Sequence, residues 1–352
     1  MKRVLIAAGG TGGHFYPGLV AALELKKRGW EPLLVVKKDD PAKAKLEAAG
    51  LACLEVDLRG LPRRPGPDLF VFAWKLLGSL RLLSRVSRDF KPSLVLGMGG
   101  YLTFPCAYAA WRRSVPLALH ESNSILGLAN RASARLFGGT LFWGLPPVDG
   151  DGVVVGTPVR PELYGRMDAG TARTKLGLES NKKTILVFGG SQGAKAINEG
   201  FAAGLKASGV AAQVLHLTGK GKGTETRTAY EKAGVAAKIL EYLDDMAAAY
   251  AAADIVVCRS GASTLAELAA QRKVSILVPY PHAAANHQDA NARVFERAGT
   301  AKRINDNELG DLLGAALADL LKSPPSPDWT KLGLPSADRT TTTFVDALEK
   351  LI

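Results

Sequence analysis

Short apolar runs and longer amphipathic stretches alternate along the chain from its first residues. Runs of β-branched and leucine-rich positions bounded by Gly, Pro and small polar residues predict strands buried on both faces. In the first half they are 4–8, 32–36, 93–96 and 116–120; in the second, 184–188, 213–217, 238–240, 255–258 and 275–278. Helical spacing fills the intervals, as around Leu19 to Lys27. This alternation predicts parallel sheets wrapped by helices, and its restart near Thr184 predicts two doubly wound units. Val153-Val154-Val155 reads as a strand running into Gly156-Thr157-Pro158, a stretch suited to a domain linker. The expected domains are 1–158 and 159–336, with a last helix at about 337–352 after the Pro324-Pro325-Ser326-Pro327 cluster.

One segment carries two apolar rows. Residues 68–90 read as a single helix with Asp68 at the N-cap position, and Leu69, Phe72, Leu76, Leu80, Leu83, Val86 and Phe90 form its expected core stripe. On the opposite side Phe70, Trp74 and Leu77 give way to Arg81, Arg85 and Arg88, with Arg63, Arg64 and Lys75 nearby. Such a face suits shallow insertion beside anionic headgroups; packing of the three apolar residues under a loop is the alternative.

Composition fits a packed enzyme of two domains: 352 residues, 47% hydrophobic and 22% charged, without low-complexity tracts. Cys53, Cys106 and Cys258 are scattered and odd in number, which predicts a reducing compartment and no structural zinc. The histidines show no metal-ligand spacing, so no bound transition metal is expected. The basic start, Lys2-Arg3, precedes an apolar run too short for a signal peptide, and no stretch is long enough to span a bilayer. Of the net charge of +12, residues 1–158 hold +9 (21 Lys+Arg against 12 Asp+Glu) and the remainder +3 (24 against 21). An anionic partner for the first half follows, or simply solubility. The aromatic and basic interleaving of RNA-reading domains is absent, and nucleic acid is not expected as a partner.

The strongest local chemistry is Gly9-Gly10-Thr11-Gly12-Gly13-His14, a turn between the first strand and a helix. Free N–H groups and the positive dipole end at a helix start favour an anionic ligand, and glycines let it approach the backbone. Phe15 stands where the dinucleotide fingerprint has its third glycine, and no Lys-Ser/Thr pair follows, which weakens dehydrogenase and NTPase readings. A tight turn that binds nothing is the plain alternative. Phe188-Gly189-Gly190-Ser191-Gln192-Gly193-Ala194 repeats the arrangement in the second half, and Gly97-Met98-Gly99-Gly100-Tyr101 follows another strand of the first. Two such units point to a ligand in the cleft between them.

His14 is the candidate general base, since an imidazole titrates near neutrality; capping or packing against the loop is its structural alternative. His120-Glu121-Ser122-Asn123 lies on the same rim, where His120 and Glu121 serve either chemistry or a loop-shaping polar network. Cys258-Arg259-Ser260-Gly261-Ala262-Ser263-Thr264-Leu265-Ala266-Glu267 runs from a strand end into a helix, as a capped turn or as another anion-facing start. Asn286, His287 and Gln288 offer hydrogen bonds to sugar hydroxyls.

In order and number these motifs, with Gly156-Thr157-Pro158-Val159-Arg160 and Asp244-Asp245-Met246, resemble the MurG family of UDP-N-acetylglucosamine transferases over nearly the whole chain. The resemblance implies the α/β GT-B fold, two facing Rossmann-like domains with a deep interdomain cleft, and a last helix returning to the first domain. It implies inverting transfer of N-acetylglucosamine from UDP-GlcNAc to the muramyl 4-hydroxyl of undecaprenyl-linked muramyl-pentapeptide (lipid I), with no tightly bound cofactor. By similarity, Leu243 would meet the uracil, Glu267 the ribose, Ser191 the diphosphate, and Asn123 and Gln288 the sugar. Arg160 and the helix start Ala262, Ser263, Thr264, Leu265 and Ala266 would also bound the donor. Thr11, Gly12 and Gly13 would bound it where it meets the acceptor, with Gly99, Gly100 and Tyr101 on the acceptor side. A peripheral place on the cytoplasmic face of the cell membrane, beside other cell-wall synthesis proteins, is implied as well. Ser122, Thr157 and the Ala283-Ala284-Ala285 run depart from the family's usual residues.

Overall fold

The computed structural model describes every residue except Gly10, Thr11, Arg63, Arg64, Pro65, Arg166 and Ser191. The chain divides into two compact units, Met1–Arg160 with Leu334–Ile352, and Pro161–Gly333.

The first unit holds strands β1 (Arg3–Ala7), β2 (Glu31–Lys37), β3 (Ala52–Val56), β4 (Leu94–Gly97), β5 (Leu117–Glu121), β6 (Thr140–Trp143) and β7 (Val153–Val154). They form one parallel sheet in the order β3-β2-β1-β4-β5-β6-β7. Its helices are α1 (Gly12–Lys27), α2 (Ala42–Ala48), α3 (Pro67–Phe90), α4 (Thr103–Arg112) and α5 (Leu128–Phe137). The second unit has α6 (Ala169–Lys175), β8 (Thr184–Phe188), α7 (Lys195–Ser208), β9 (Gln213–Leu217), α8 (Gly223–Ala233) and β10 (Lys238–Leu240). It continues with α9 (Met246–Ala252), β11 (Ile255–Cys258), α10 (Ala262–Gln271), β12 (Ser275–Leu277), α11 (His287–Arg297), β13 (Ala301–Arg303) and α12 (Leu309–Lys322). Its parallel sheet runs β10-β9-β8-β11-β12-β13.

Why these strands are apolar throughout is visible at β1. Val4 and Ile6 pack with Ala21 and Leu25 of α1, whereas Leu5 and Ala7 pack with Leu83 of α3 and Cys106 and Ala110 of α4. Both faces of a parallel sheet are covered, so alternation is lost from the sequence pattern. The last helix, α13 (Thr340–Glu349), closes the first unit. Its Phe344 ring sits 4.9 Å from that of His120 and 5.9 Å from that of Phe142, and Asp346 and Glu349 both pair with Arg28.

Helix α3 differs from the sequence expectation in two respects. It begins at Pro67 with Gly66 as N-cap, leaving Asp68 in the first turn. Proline's fixed φ and missing N–H suit that first position. Its buried line runs through Ser79, Leu83 and Ser87, with Phe72 and Leu76 partly buried, whereas Leu69 is 45% exposed. On this buried line Ser79 is satisfied by its own helix, Oγ donating to Lys75 O at 2.8 Å, whereas Ser87 Oγ is buried with no hydrogen-bond partner among the described residues.

Candidate functional site

In each sheet the strand order reverses beside the unit's first strand: β1 lies between β2 and β4, and β8 between β9 and β11. Loops leaving neighbouring strands there diverge to opposite faces, and ligands bind outside the carboxyl ends of the strands in the resulting crevice. The glycine turns fall at these points, after β1 and β4 in the first unit and after β8 in the second.

In the first unit the two turns meet through His14, in the first turn of α1. A Cβ built on Gly99 would lie 3.0 Å from His14 Cδ2, and one on Gly100 3.1 Å from Nδ1. These glycines have φ of +89° and +73°, which L side chains rarely adopt, so the imidazole rests against bare backbone. Thr103 Oγ1 holds the turn by donating to Gly99 O at 2.9 Å. Tyr101 is half-buried against the core below. Arg160 stacks over the ring of Tyr16, 5.4 Å from its centroid, on the helix that carries His14. Gly12 and Gly13 open that helix, while Thr11 lies outside the described residues.

His120 and Glu121 form a loop-shaping network. His120 is wholly buried, with Nε2 3.0 Å from Gly156 O and Nδ1 3.4 Å from Ser122 Oγ. A carbonyl only accepts, so Nε2 carries the proton and Nδ1 accepts from Ser122. Burial pushes this histidine below its ordinary pKa, which keeps it neutral. Glu121 Oε1 accepts from Asn123 N and Nδ2 at 3.1 and 2.8 Å; Oε2 accepts from Gly127 N and Asn130 Nδ2 at 2.9 and 3.1 Å. Asn123 is thereby held in one orientation.

In the second unit the turn after β8 packs backbone to backbone on the turn after β9. A Cβ on Gly193 would fall 1.9 Å from Thr218 O, and Gly193 N–H is spent on Gly190 O at 2.9 Å, so it is not an open donor. Ser191 lies outside the described residues. Beneath the turn a buried chain of bonds has one direction only. Asn198 Nδ2 donates to Thr218 O at 3.0 Å, so its Oδ1 accepts from His216 Nε2 at 3.1 Å, and His216 Nδ1 accepts from Tyr230 OH at 2.9 Å. Burial lowers the His216 pKa to about 3 from an ordinary 6.5. The unfolded chain therefore takes up a proton below pH 6.5 that the folded one refuses, and stability is full above that pH and lost as it falls toward 3. We expect His216→Gln to remove up to about 1.4 kcal/mol per pH unit from the slope of unfolding free energy between pH 6 and 4. Urea titrations across that range check this; equal slopes in both proteins refute it.

Helix α10 starts from Gly261 as N-cap, which leaves the first-turn N–H groups of Ala262, Ser263 and Thr264 without intrahelical acceptors. Ser263 Oγ is buried without a hydrogen-bond partner among the described residues. Leu265 N–H bonds Gly261 O at 3.0 Å and its side chain is wholly buried. Glu267 lies one turn on, with Oε2 accepting from Tyr250 OH at 2.8 Å. Leu243 follows β10 and is half-buried, just before Asp245 caps α9. Gln288 Oε1 accepts from Tyr280 N at 3.0 Å and its backbone carbonyl from Ser260 Oγ at 2.8 Å. Among the described residues no group of three His, Cys, Asp or Glu could hold a metal.

Both halves of the chain match family models, residues 4–139 the glycosyltransferase family 28 N-terminal domain and 184–338 the family 28 C-terminal domain. A UDP-N-acetylglucosamine–N-acetylmuramyl-(pentapeptide) pyrophosphoryl-undecaprenol N-acetylglucosamine transferase from Elusimicrobium minutum is 35% identical over 363 aligned positions, covering 100% of both chains. The enzyme of the same name from Aeromonas hydrophila is 39% identical over 310 residues, 88% of this chain and 84% of its own. Among solved structures, MurG of Acinetobacter baumannii matches with a TM-score of 0.79 and 26% identity, over 99% of this chain and 100% of that one. This chain belongs to the MurG family. Its fold is accordingly GT-B, with one all-parallel sheet in each domain.

Away from the glycine turns, this MurG-family chain has a second feature. Phe70 and Trp74 on α3 are 82% and 76% exposed, and Leu69, Val71 and Leu77 extend the apolar face. Beside it α3 and α4 border a groove of about 540 Å³, lined by Leu77, Leu80, Arg81, Ser84, Arg85 and Arg88 from one helix. Tyr108, Arg112 and Arg113 line it from the other side. Arg88 pairs with Asp89, whereas Arg81, Arg85, Arg112 and Arg113 have no carboxylate partner among the described residues. Sequence reading missed the contribution of α4, although the Trp111-Arg112-Arg113 run signals it. No described helix is long and apolar enough to cross a membrane. Arg63 and Arg64, expected nearby, lie outside the described residues.

Proposed function

We propose that this enzyme transfers N-acetylglucosamine from UDP-GlcNAc to the muramyl 4-hydroxyl of lipid I, giving the β-linked disaccharide lipid II and UDP in peptidoglycan synthesis. The observation that carries this reading is the end-to-end match to transferases of that name, with glycine turns at the switch point of both sheets. His14 takes the proton of the attacking hydroxyl while Gly99, Gly100 and Tyr101 border the acceptor. Leu243 meets the uracil, Glu267 the ribose, and Arg160 the nucleotide. The N–H groups at the start of α10, together with Ser191, offset the charge that grows on the departing diphosphate, the electrostatic contribution that dominates many group transfers. Asn123 and Gln288 orient the sugar. Transfer of labelled sugar to lipid I from UDP-GlcNAc, but not from UDP-glucose, tests the assignment; equal use of both donors defeats it.

We also propose that the apolar face of α3 inserts shallowly in the cytoplasmic leaflet while the arginine groove meets anionic headgroups, which brings the enzyme to a lipid-linked acceptor and to other cell-wall enzymes. The exposure of Phe70 and Trp74 supports it, beside Arg81, Arg85, Arg112 and Arg113, which have no carboxylate partner among the described residues. Each large side chain removed from water contributes about 1.5–3 kcal/mol. Replacing Phe70, Trp74 and Leu77 with Ser is therefore expected to lower flotation with phosphatidylglycerol vesicles at least about tenfold. Flotation equal to that of the parent protein overturns the membrane reading.

A further inference from the structure

Tyr250 is wholly buried on α9, yet its hydroxyl reaches out of the apolar layer to a carboxylate on another helix. The ring is fixed from behind by Phe188, the last residue of β8, at 6.1 Å between centroids and an interplanar angle of 77°. The phenol donates to Glu267 Oε2 at 2.8 Å, and a carboxylate so engaged loses the rotamer freedom a half-exposed glutamate otherwise has. An ionised carboxylate accepts on both oxygens, about four lone-pair sites in all, so a phenol on Oε2 orients the group without using up its acceptor capacity.

The same helix begins at the loop that carries Leu243. Asp245 caps α9 by accepting from Ala248 N at 2.9 Å, and it also pairs with Lys175 at 2.6 Å. Leu243, the cap and Tyr250 therefore belong to one short rigid element, which the phenol ties to α10. We infer that Tyr250 is a positioning residue for nucleotide recognition: it aims Glu267 at the vicinal hydroxyls of the donor's ribose and sets that carboxylate in register with the base-binding loop. This rests on the ribose role proposed for Glu267.

The test is calorimetric titration of the full chain with UDP and with 2′-deoxy-UDP, for the parent protein, Tyr250→Phe and Glu267→Gln. Phe keeps the ring packing on Phe188 and deletes only the donor. The parent is expected to prefer UDP by roughly tenfold, the scale of a hydrogen bond to a charged group. Tyr250→Phe should cut that preference at least about threefold and raise the KM for UDP-GlcNAc with kcat changed less than about twofold. Should Tyr250→Phe discriminate like the parent while Glu267→Gln does not, the positioning role fails and the ribose role stands. Unchanged discrimination in Glu267→Gln removes the ribose role itself.

Discussion

His14→Ala is expected to lower kcat by about 10²–10⁴ while the Kd for UDP-GlcNAc stays within about threefold. A general base acts on the attacking hydroxyl only as the bond forms, so its loss is felt in the transition state and not in donor binding. The geometry supplies what such a base needs. The ring is carried by the first turn of α1 and lies close against Gly99 and Gly100, where any Cβ would crowd it. His120, also on the first unit, is wholly buried and bonded to Gly156 O, so it has no proton to exchange with a substrate. Steady-state rates with lipid I, set beside donor titrations, decide the matter. A variant with unchanged kcat ends the assignment of His14 as base, and one that loses donor affinity in the same proportion makes His14 a binding residue.

Gly193→Ala is expected to cost about 2–4 kcal/mol of stability and to weaken UDP binding by at least about thirtyfold. Two causes combine there. The φ of +66° strains any L residue, and the new methyl would overlap Thr218 O at 1.9 Å. That oxygen has little room to yield, because Asn198 Nδ2 holds it and the Tyr230–His216 pair holds Asn198. The displacement must then be taken up by the turn after β8, the one proposed to face the diphosphate. Gly209→Ala separates the two causes, since Gly209 has a φ of +63° with nothing within 4 Å of its Cβ position. It should cost only about 1 kcal/mol and leave UDP binding unchanged. Equal melting temperatures and equal UDP affinities for the two variants would show that the close approach to Thr218 has no consequence.

Much of the architecture was legible because buried parallel strands are written as plain apolar runs. Ile185, Leu186 and Val187 are wholly buried, and β8, β9, β10 and β11 occupy the spans expected of them. Strands with exposed or charged positions escaped notice: β3 buries only Val56 and β13 is Ala-Lys-Arg, since an edge strand owes its place to backbone pairing and needs little apolar surface. The seam of α3 was misjudged for the opposite reason, as Ser79 and Ser87 are polar by type and buried by close helix packing.

For the site, local sequence determined where backbone amides are left open. Glycines after a strand and small residues at a helix start restrict φ, ψ and donor use within a few residues of chain. Partner choice across the fold was decided only by tertiary structure. Nothing in the sequence around His14 names Gly99 and Gly100 as its bed, nothing around Glu267 names Tyr250, and nothing in α3 names Arg112 and Arg113 as the far wall of its groove. Those pairings follow from strand order, which brings together loops distant along the chain, and strand order is set by the packing of whole sheet faces.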